Sequence, residues 1–337
     1  MFLAPVLTSA FICYTILLNS VLASGLIKPE FFGLTADERN RIAGIVGGIK
    51  DNTLGLLGFN KLPENKNKPA PPKPRPKVSG IKVAARSAVA VDCETNDVIF
   101  EQSAREKWPI ASITKLMTAL VFLDFNPGWE TVYEMKREDR REGGKIYLYY
   151  GEKMKVKDIF YVSLVASDNT ATAALVHSTG MNEEEFVEKM NERAAILGMS
   201  NTKFIDATGL AGNESTAEEI AKFAAIALRN EDIRQATLTG EYRFKTSQGK
   251  EKIILSTDQL LREKMEDGLE IAGGKTGFTE EAGYCFVGQF KKDGHELITV
   301  VLGAPTVEAR FSETGGLVKW IFDSFKWEDG VADEEGR

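Results

Sequence analysis

The sequence predicts an α+β fold, with one mainly antiparallel β-sheet flanked by helices. Three observations carry this. β-Rich segments stand at both ends of the globular region, at 88–91 and 98–100 near its start and at 283–290 and 296–302 near its close. The later pair is joined across Asp293-Gly294, a dipeptide suited to a tight hairpin turn. Between them the periodicity is helical, and one helix, 113–123, is apolar at nearly every position, as a helix buried on all sides must be.

The elements follow in order along a globular region expected over 78–326. Ala-Val-Ala-Val at 88–91, a polar turn at 94–97 and Val-Ile-Phe at 98–100 form a hairpin pattern. Trp108 and Pro109 lead into the apolar helix. Residues 156–165 read as a second helix, Ser167-Asp168-Asn169 falls at its end, and helical character resumes at 170–176. That tripeptide therefore sits on a helix–helix junction, where side chains can enter a cleft. Residues 183–197 form an amphipathic helix ended by Gly198. Ser215 and Glu218 make a capping box that opens a helix reaching Leu228. Lys275-Thr276-Gly277 runs along a strand edge entering the final hairpin. A closing helix over 308–325 is expected to be interrupted at Gly315 and Gly316.

Composition narrows the class. The chain has 337 residues, is 43% hydrophobic and 27% charged, and carries a net charge of −7. This is a soluble globular composition, and its acidic balance argues against a nucleic-acid partner. Its two histidines, His177 and His295, have no metal-ligand partner at helical spacing. A Ser-His-Asp triad is therefore disfavoured. No C-x-x-C occurs among the three cysteines, so zinc and redox motifs are absent. Cys93 and Cys285 read as free thiols rather than a pair.

Ahead of the globular region lie three segments. Residues 1–27 contain no charged side chain, and Val21-Leu22-Ala23 before Ser24 resembles a cleavage site. A cleaved signal peptide and an uncleaved membrane anchor both fit, and either implies export. Cys13 follows Ile12 rather than a small residue, which excludes a lipid-attachment site. Residues 28–62 form a juxtamembrane segment with a capping-box pattern at Thr35 and Glu38. A marginal helix and an element lying on the membrane surface both remain open. Residues 63–77 form a Pro/Lys-rich linker holding six of the 11 prolines. Such a stretch extends about 3.1 Å per residue and would hold a domain roughly 40 Å from a membrane. An acidic tail occupies 327–337.

Three short words carry the chemistry: Ser112-Ile113-Thr114-Lys115, Ser167-Asp168-Asn169 and Lys275-Thr276-Gly277. They form the ordered set S-x-x-K, S-x-N and K-T-G. A serine hydroxyl is a weak nucleophile until a base takes its proton. On a helix, Ser112 and Lys115 share one face. Burial and a neighbouring cation would lower the lysine pKa, and Lys275 is expected to be that cation.

The surrounding residues deepen the pattern. Segments 110–118, 206–210, 215–217 and 275–285 together resemble the penicillin-binding serine D-alanyl-D-alanine carboxypeptidases of bacteria. The resemblance covers about 85–325 and implies a β-lactamase/transpeptidase-like fold with an all-helical subdomain. It implies that Ser112 attacks the terminal D-Ala-D-Ala bond of a peptidoglycan stem peptide, with Lys115 as base. Ser167 would pass a proton to the departing amine, and Asn169 would orient the substrate amide and Lys115. Lys275, Thr276 and Thr279 would bind the terminal carboxylate, within the K-T-G strand that includes Gly277. The N–H groups of Ser112 and Phe278 would form the oxyanion hole. β-Lactams would acylate Ser112 as covalent inhibitors, and no metal or cofactor is implied. The alternative activities are a D,D-endopeptidase cutting cross-links, a β-lactamase, or a non-catalytic penicillin-binding module. A β-lactamase needs a deacylating glutamate, and 201–206 contains none.

Overall fold

The computed structural model describes residues 70–76, 78–261 and 268–327. The expected signal or anchor at 1–27, the juxtamembrane segment at 28–62 and the acidic run after Trp327 lie outside the described residues. Among the described residues, no helix is long and apolar enough to cross a membrane.

The expected first hairpin is β1 (Ser87–Asp92) and β2 (Val98–Gln102). Its turn is closed by the Asp92 carboxylate, which accepts from Glu94 N, Thr95 N and Thr95 Oγ1 at 2.8–3.1 Å. The helices then follow as α1 (Thr114–Asp124), α2 (Val156–Val165), α3 (Asn169–Ser178), α4 (Glu183–Ile196), α5 (Ala217–Ala227) and α6 (Glu231–Thr237). A separate hairpin, β3 (Glu241–Lys245) with β4 (Glu251–Leu255), precedes the last three long strands. These are β5 (Glu270–Thr279), β6 (Gly283–Lys292) and β7 (His295–Ala304). A final helix, α7 (Val307–Ser324), closes the domain.

The main sheet has the order β5-β6-β7-β1-β2, antiparallel throughout. Both faces are covered, so β1 is buried along its whole length. Its alternation decides what faces what. Val89 and Val91 enter the core shared with α1–α6, while Ala88 and Ala90 face the core under α7. Small side chains on that face let α7 approach the sheet closely. The turn between β6 and β7 places Asp293 and Gly294 at φ 51° and 83°, as the Asp-Gly signal requires.

α1 is the central helix, with its side chains buried on nearly all sides. Phe122 on α1, Trp129 and Phe160 on α2 form an aromatic cluster, with Phe160 centroids 5.8 Å and 5.1 Å from its two neighbours. This cluster fixes α1 against α2 and hence the first chemical word against the second.

Several expectations shift. α7 runs unbroken through Gly315 and Gly316. Phe311, Leu317, Val318 and Ile321 bury its inner face, which offsets the cost of about 1 kcal/mol per glycine. The cap of α5 lies one residue later than the Ser215/Glu218 box. Thr216 Oγ1 accepts from Glu219 N at 3.2 Å, because the Ser215 hydroxyl is engaged with Thr202 at 2.6 Å. Among the described residues Cys93 and Cys285 are free, Cys285 buried and Cys93 partly so. Burial pushes the Cys93 thiol up to about 12, with Glu296 and Asp92 adding to it.

The described end of the proline-rich stretch differs from a plain spacer. Lys73–Pro74 pairs antiparallel with Phe325–Lys326. Arg75 N donates to Ser324 O at 2.7 Å, and Arg75 Nε to Phe325 O at 3.2 Å. An extended proline segment needs little change to become an edge strand, where the missing N–H costs nothing.

Replacing Phe160 by alanine should lower the unfolding free energy by about 3–5 kcal/mol, since the site is fully buried and edged by rigid rings. Urea denaturation measures this, and a loss below 1 kcal/mol would show that the cluster does not fix α1 on α2.

Candidate active site

Ser112 lies in a single 3₁₀ turn, Ala111–Ile113, directly before α1. The turn is strained, since Ala111 takes φ 46°. Two glycines hold it from opposite sides. A Cβ on Gly209 would lie 2.0 Å from Ala111 O, and one on Gly277 would lie 2.8 Å from Ile110 O. Only glycine permits these approaches, so the loop at 206–210 and strand β5 both press onto the serine turn.

Lys115 projects from the first turn of α1 and is 0% exposed. Its Nζ has three oxygen neighbours: Ser112 Oγ at 2.8 Å, Asn169 Oδ1 at 2.7 Å and Thr208 O at 2.7 Å. The Asn169 and Thr208 oxygens can only accept. A neutral amine has two N–H donors and one lone pair. The donors satisfy those two oxygens, and the lone pair faces the Ser112 hydroxyl.

The charge state matches. Burial lowers the Lys115 pKa to about 7, while Asp206 and Asp168 push it back up. Roughly half of the amine is therefore neutral at pH 7. The expectation that Lys275 lowers Lys115 is revised here: desolvation is the cause. The repulsion between the two lysines falls on Lys275, which burial first and then Lys115 and Arg310 hold well below the usual lysine value.

The second word is positioned by α2 and α3. Ser167 occupies the junction at φ 57°, a second strained non-glycine residue in the site. Its Oγ accepts from Lys275 Nζ at 2.8 Å. Asp168, with no assigned role from sequence, caps α3 through Ala171 N at 2.9 Å and accepts from Tyr147 N at 2.8 Å. Asn169 opens α3, and its Nδ2 donates to Gly143 O at 3.0 Å.

The third word lies within β5, an edge strand of the main sheet. Lys275 Nζ also donates to Thr276 O at 2.9 Å. Thr276 Oγ1 meets Thr257 Oγ1 at 2.6 Å, and Thr257 N donates to Val165 O at 3.0 Å. Thr257 therefore ties the end of α2 to the third word. Phe278 is half-exposed and stacks on Tyr284 with centroids 4.3 Å apart. Thr279 Oγ1 accepts from Ala282 N at 3.0 Å, closing the β5–β6 turn.

Three groups were not singled out by sequence. The Asp206 carboxylate accepts from Thr208 N, Gly209 N and Leu210 N at 3.0–3.1 Å, and from the Thr208 hydroxyl. It thereby shapes the loop that offers Thr208 O to Lys115. Asn213 fastens that loop to α1, donating to Thr114 Oγ1 and Asp206 O at 2.9 Å. Arg310 on α7 lies buried behind β5, donates to Gly277 O at 3.3 Å, and leaves its Nε without a partner. The capping pattern D-x-T-G-L was the one local signal for the first of these; nothing local signals Arg310.

A serine facing a buried neutral lysine, with a second Ser–Lys pair beside it on an edge strand, defines a serine acyl-transfer site of the penicillin-binding fold. Residues 73–306 match the family described as D-alanyl-D-alanine carboxypeptidase, and the chain belongs to that family of serine peptidases. It is 32% identical to a D-alanyl-D-alanine carboxypeptidase of Bacillus subtilis over 72% of this chain, spanning 63% of that protein's length. It is 35% identical to a D-alanyl-D-alanine endopeptidase of Haemophilus influenzae, covering 60% of this chain and 69% of the other. Among solved structures, cefotaxime-bound penicillin-binding protein D2 of Listeria monocytogenes is similar with TM-score 0.63 and 29% identity, covering 72% of this chain and 99% of that one.

The Lys115 amine should titrate with a midpoint of about 7, followed as the lysine side-chain NMR resonance lost in Lys115→Met. A midpoint near 10 would overturn burial as the control. Gly209→Ala should cost about 2 kcal/mol or more in unfolding free energy, from the clash and the φ of 88°. A melting temperature equal to the parent's would show that the serine turn yields.

Proposed function

We propose that this protein removes the terminal D-alanine from peptidoglycan stem peptides ending in D-Ala-D-Ala, through an acyl-enzyme on Ser112. The observation that carries this reading is the Lys115 amine, 2.8 Å from Ser112 Oγ with its other two hydrogen-bond directions already occupied. A base so held needs no reorganisation before it takes a proton.

In this reading Ser112 Oγ bonds to the penultimate D-Ala carbonyl carbon as its proton passes to Lys115 Nζ. The oxyanion is held by the N–H groups of Ser112 and Phe278, where one lost donor typically costs about 3 kcal/mol of barrier. The C–N bond then breaks, and the departing amine receives its proton through Ser167, which Lys275 holds in place. Asn169 orients Lys115 and the substrate amide. Thr276, Thr279 and Lys275 take the terminal carboxylate, and Arg310 adds positive charge from behind Gly277. Water next attacks the ester, again with Lys115 as base, and releases the shortened peptide.

A second reading, cross-link endopeptidase, is favoured by the 35% identity to a D-alanyl-D-alanine endopeptidase. It uses the same steps with a different amine leaving. A β-lactamase reading has less support. The nearby Asp206 and Asp168 carboxylates are occupied by loop and helix N–H groups, and Glu214 lies exposed, its backbone paired with Lys203. β-Lactams would acylate Ser112 as substrate mimics. A binding module without turnover has less support still, since Ser112, Lys115 and Lys275 are all assembled. The site of action is the cell envelope. Export would rest on residues 1–27, with 63–72 as the spacer to a catalytic domain that takes in Lys73–Arg75 and extends to Trp327, whose Nε1 donates to Asp92 Oδ2 at 2.7 Å, ahead of a short acidic tail.

The test is D-Ala release from a D-Ala-D-Ala-terminated pentapeptide, comparing the protein with Ser112→Ala. Release by the parent alone is expected, with a rate rising about tenfold per pH unit below the Lys115 midpoint and level above it. Penicillin labelling that survives in Ser112→Ala would sink the assignment. Labelling without release, together with cleavage of a cross-linked dimer, would select the endopeptidase.

A further inference from the structure

The segment between the 3₁₀ turn Arg137–Asp139 and Tyr150 makes an excursion over the first turn of α3. Thr170 Oγ1 accepts from Arg141 N at 3.1 Å, Asn169 Nδ2 donates to Gly143 O at 3.0 Å, and Asp168 accepts from Tyr147 N at 2.8 Å. The tip of the excursion therefore borders the residue that orients Lys115. Its two feet converge on a cavity of about 370 Å³, floored by Met135 and Leu148 and walled by Lys136, Arg137, Arg140, Tyr149, Tyr150 and Thr170.

The charge of this cavity runs against the chain as a whole. The protein carries −7, yet the cavity wall has three cations and no carboxylate. Lys136 is paired with Glu138 at 3.3 Å. Among the described residues, neither Arg137 nor Arg140 has an ion-pair partner. Arg137 lies over the Tyr150 ring at 4.5 Å, which presents its guanidinium without neutralising it. Tyr149 and Tyr150 are 50% and 65% exposed, and Lys250 and Lys252 lie 5.3 Å and 4.9 Å from the Tyr149 ring, adding to the positive field there. Lys252 holds this foot of the loop, donating to Tyr147 O at 2.7 Å and pairing with Glu152 at 2.6 Å. The pocket is thus built on a fixed frame.

We propose that this pocket is a second substrate subsite, which binds a side carboxylate of the acidic stem peptide while the D-Ala-D-Ala end lies at Ser112. This rests on the proposed function. Thr170 in the pocket wall is the next residue after Asn169, so the pocket and the catalytic cleft flank the same first turn of α3, and in this proposal an extended peptide runs from the cleft around Gly143 into the pocket. Guanidinium forks match carboxylates in a two-point geometry. The tyrosine rings cover the flat amides on either side. The subsite favours stem peptides that keep their free carboxylate over those in which it is amidated.

The test uses two matched substrates ending in Lys-D-Ala-D-Ala, each extended by a γ-linked glutamate. One keeps the α-carboxylate and the other carries the α-amide. A short bis-acetylated Lys-D-Ala-D-Ala serves as control. The parent should prefer the carboxylate form by about tenfold in kcat/KM, the factor for one charge-assisted contact. Arg137→Glu with Arg140→Glu should abolish the preference, while Arg137→Lys with Arg140→Lys retains part of it. Turnover of the short control and penicillin acylation should be unchanged in both. Equal turnover of acid and amide by the parent overturns the subsite, as does an equal loss on the short control. A separate arm measures binding of a γ-glutamyl peptide without D-Ala-D-Ala to Ser112→Ala by calorimetry. That arm reports on the pocket even if the carboxypeptidase reading fails. Competition by inorganic phosphate at the same concentration as the peptide would show a plain anion site and also overturn the proposal.

Discussion

The Lys115 amine is fully buried yet keeps three oxygen partners, and the rest of the domain is arranged to make that combination stable. Burying a charged ammonium costs several kcal/mol, so the group titrates near neutrality instead. Each of its partners comes from a different part of the chain: Ser112 from the turn before α1, Asn169 from the start of α3, and Thr208 from the loop before α5. Moving any of these away would leave a buried amine short of a partner. The aromatic cluster between α1 and α2, the Asp206 turn and the Asn213 bridge are best understood as keeping those three oxygens in register. The neighbouring Lys275 repeats the principle one layer out, on Ser167.

Two opposing devices hold the serine itself. Gly209 and Gly277 let backbone approach it closely from the loop side and the strand side. Ala111 and Ser167 carry left-handed φ values that ordinary side chains adopt only under constraint. Strain at both residues is sustained because the surrounding hydrogen bonds over-determine their conformations. Those close approaches and hydrogen bonds hold the site in place.

Much of this was legible in the sequence because it is local. The Asp-Gly turn, the apolar α1, the junction holding Ser167-Asp168-Asn169 and the three chemical words are each encoded within a few residues. What was not legible depends on distant partners. The Ser215/Glu218 box fits the local rule as well as Thr216/Glu219, and only Thr202, reaching Ser215 from across a turn, decides between them. Gly315 and Gly316 weaken a helix in isolation, but α7 is held by the sheet. Arg310 is separated from Gly277 by 33 residues and lies on another element. The β3–β4 hairpin has a mixed polar pattern, and Lys252 is buried only because Glu152 meets it. The source of the Lys115 shift was also hidden, since burial is a property of the packed domain and not of spacing.

The pairing of Lys73–Pro74 with Phe325–Lys326 has a mechanical meaning. The strands are antiparallel, so the two ends of the described chain leave the domain side by side at the same point. Tension drawn between those ends meets the hydrogen bonds of this short pair one at a time, in the manner of a zipper. The load is taken there first, before it reaches β1 or α7. A force drawing those two ends apart would thus open a peripheral clasp that can close again, while the geometry around Ser112 stays intact.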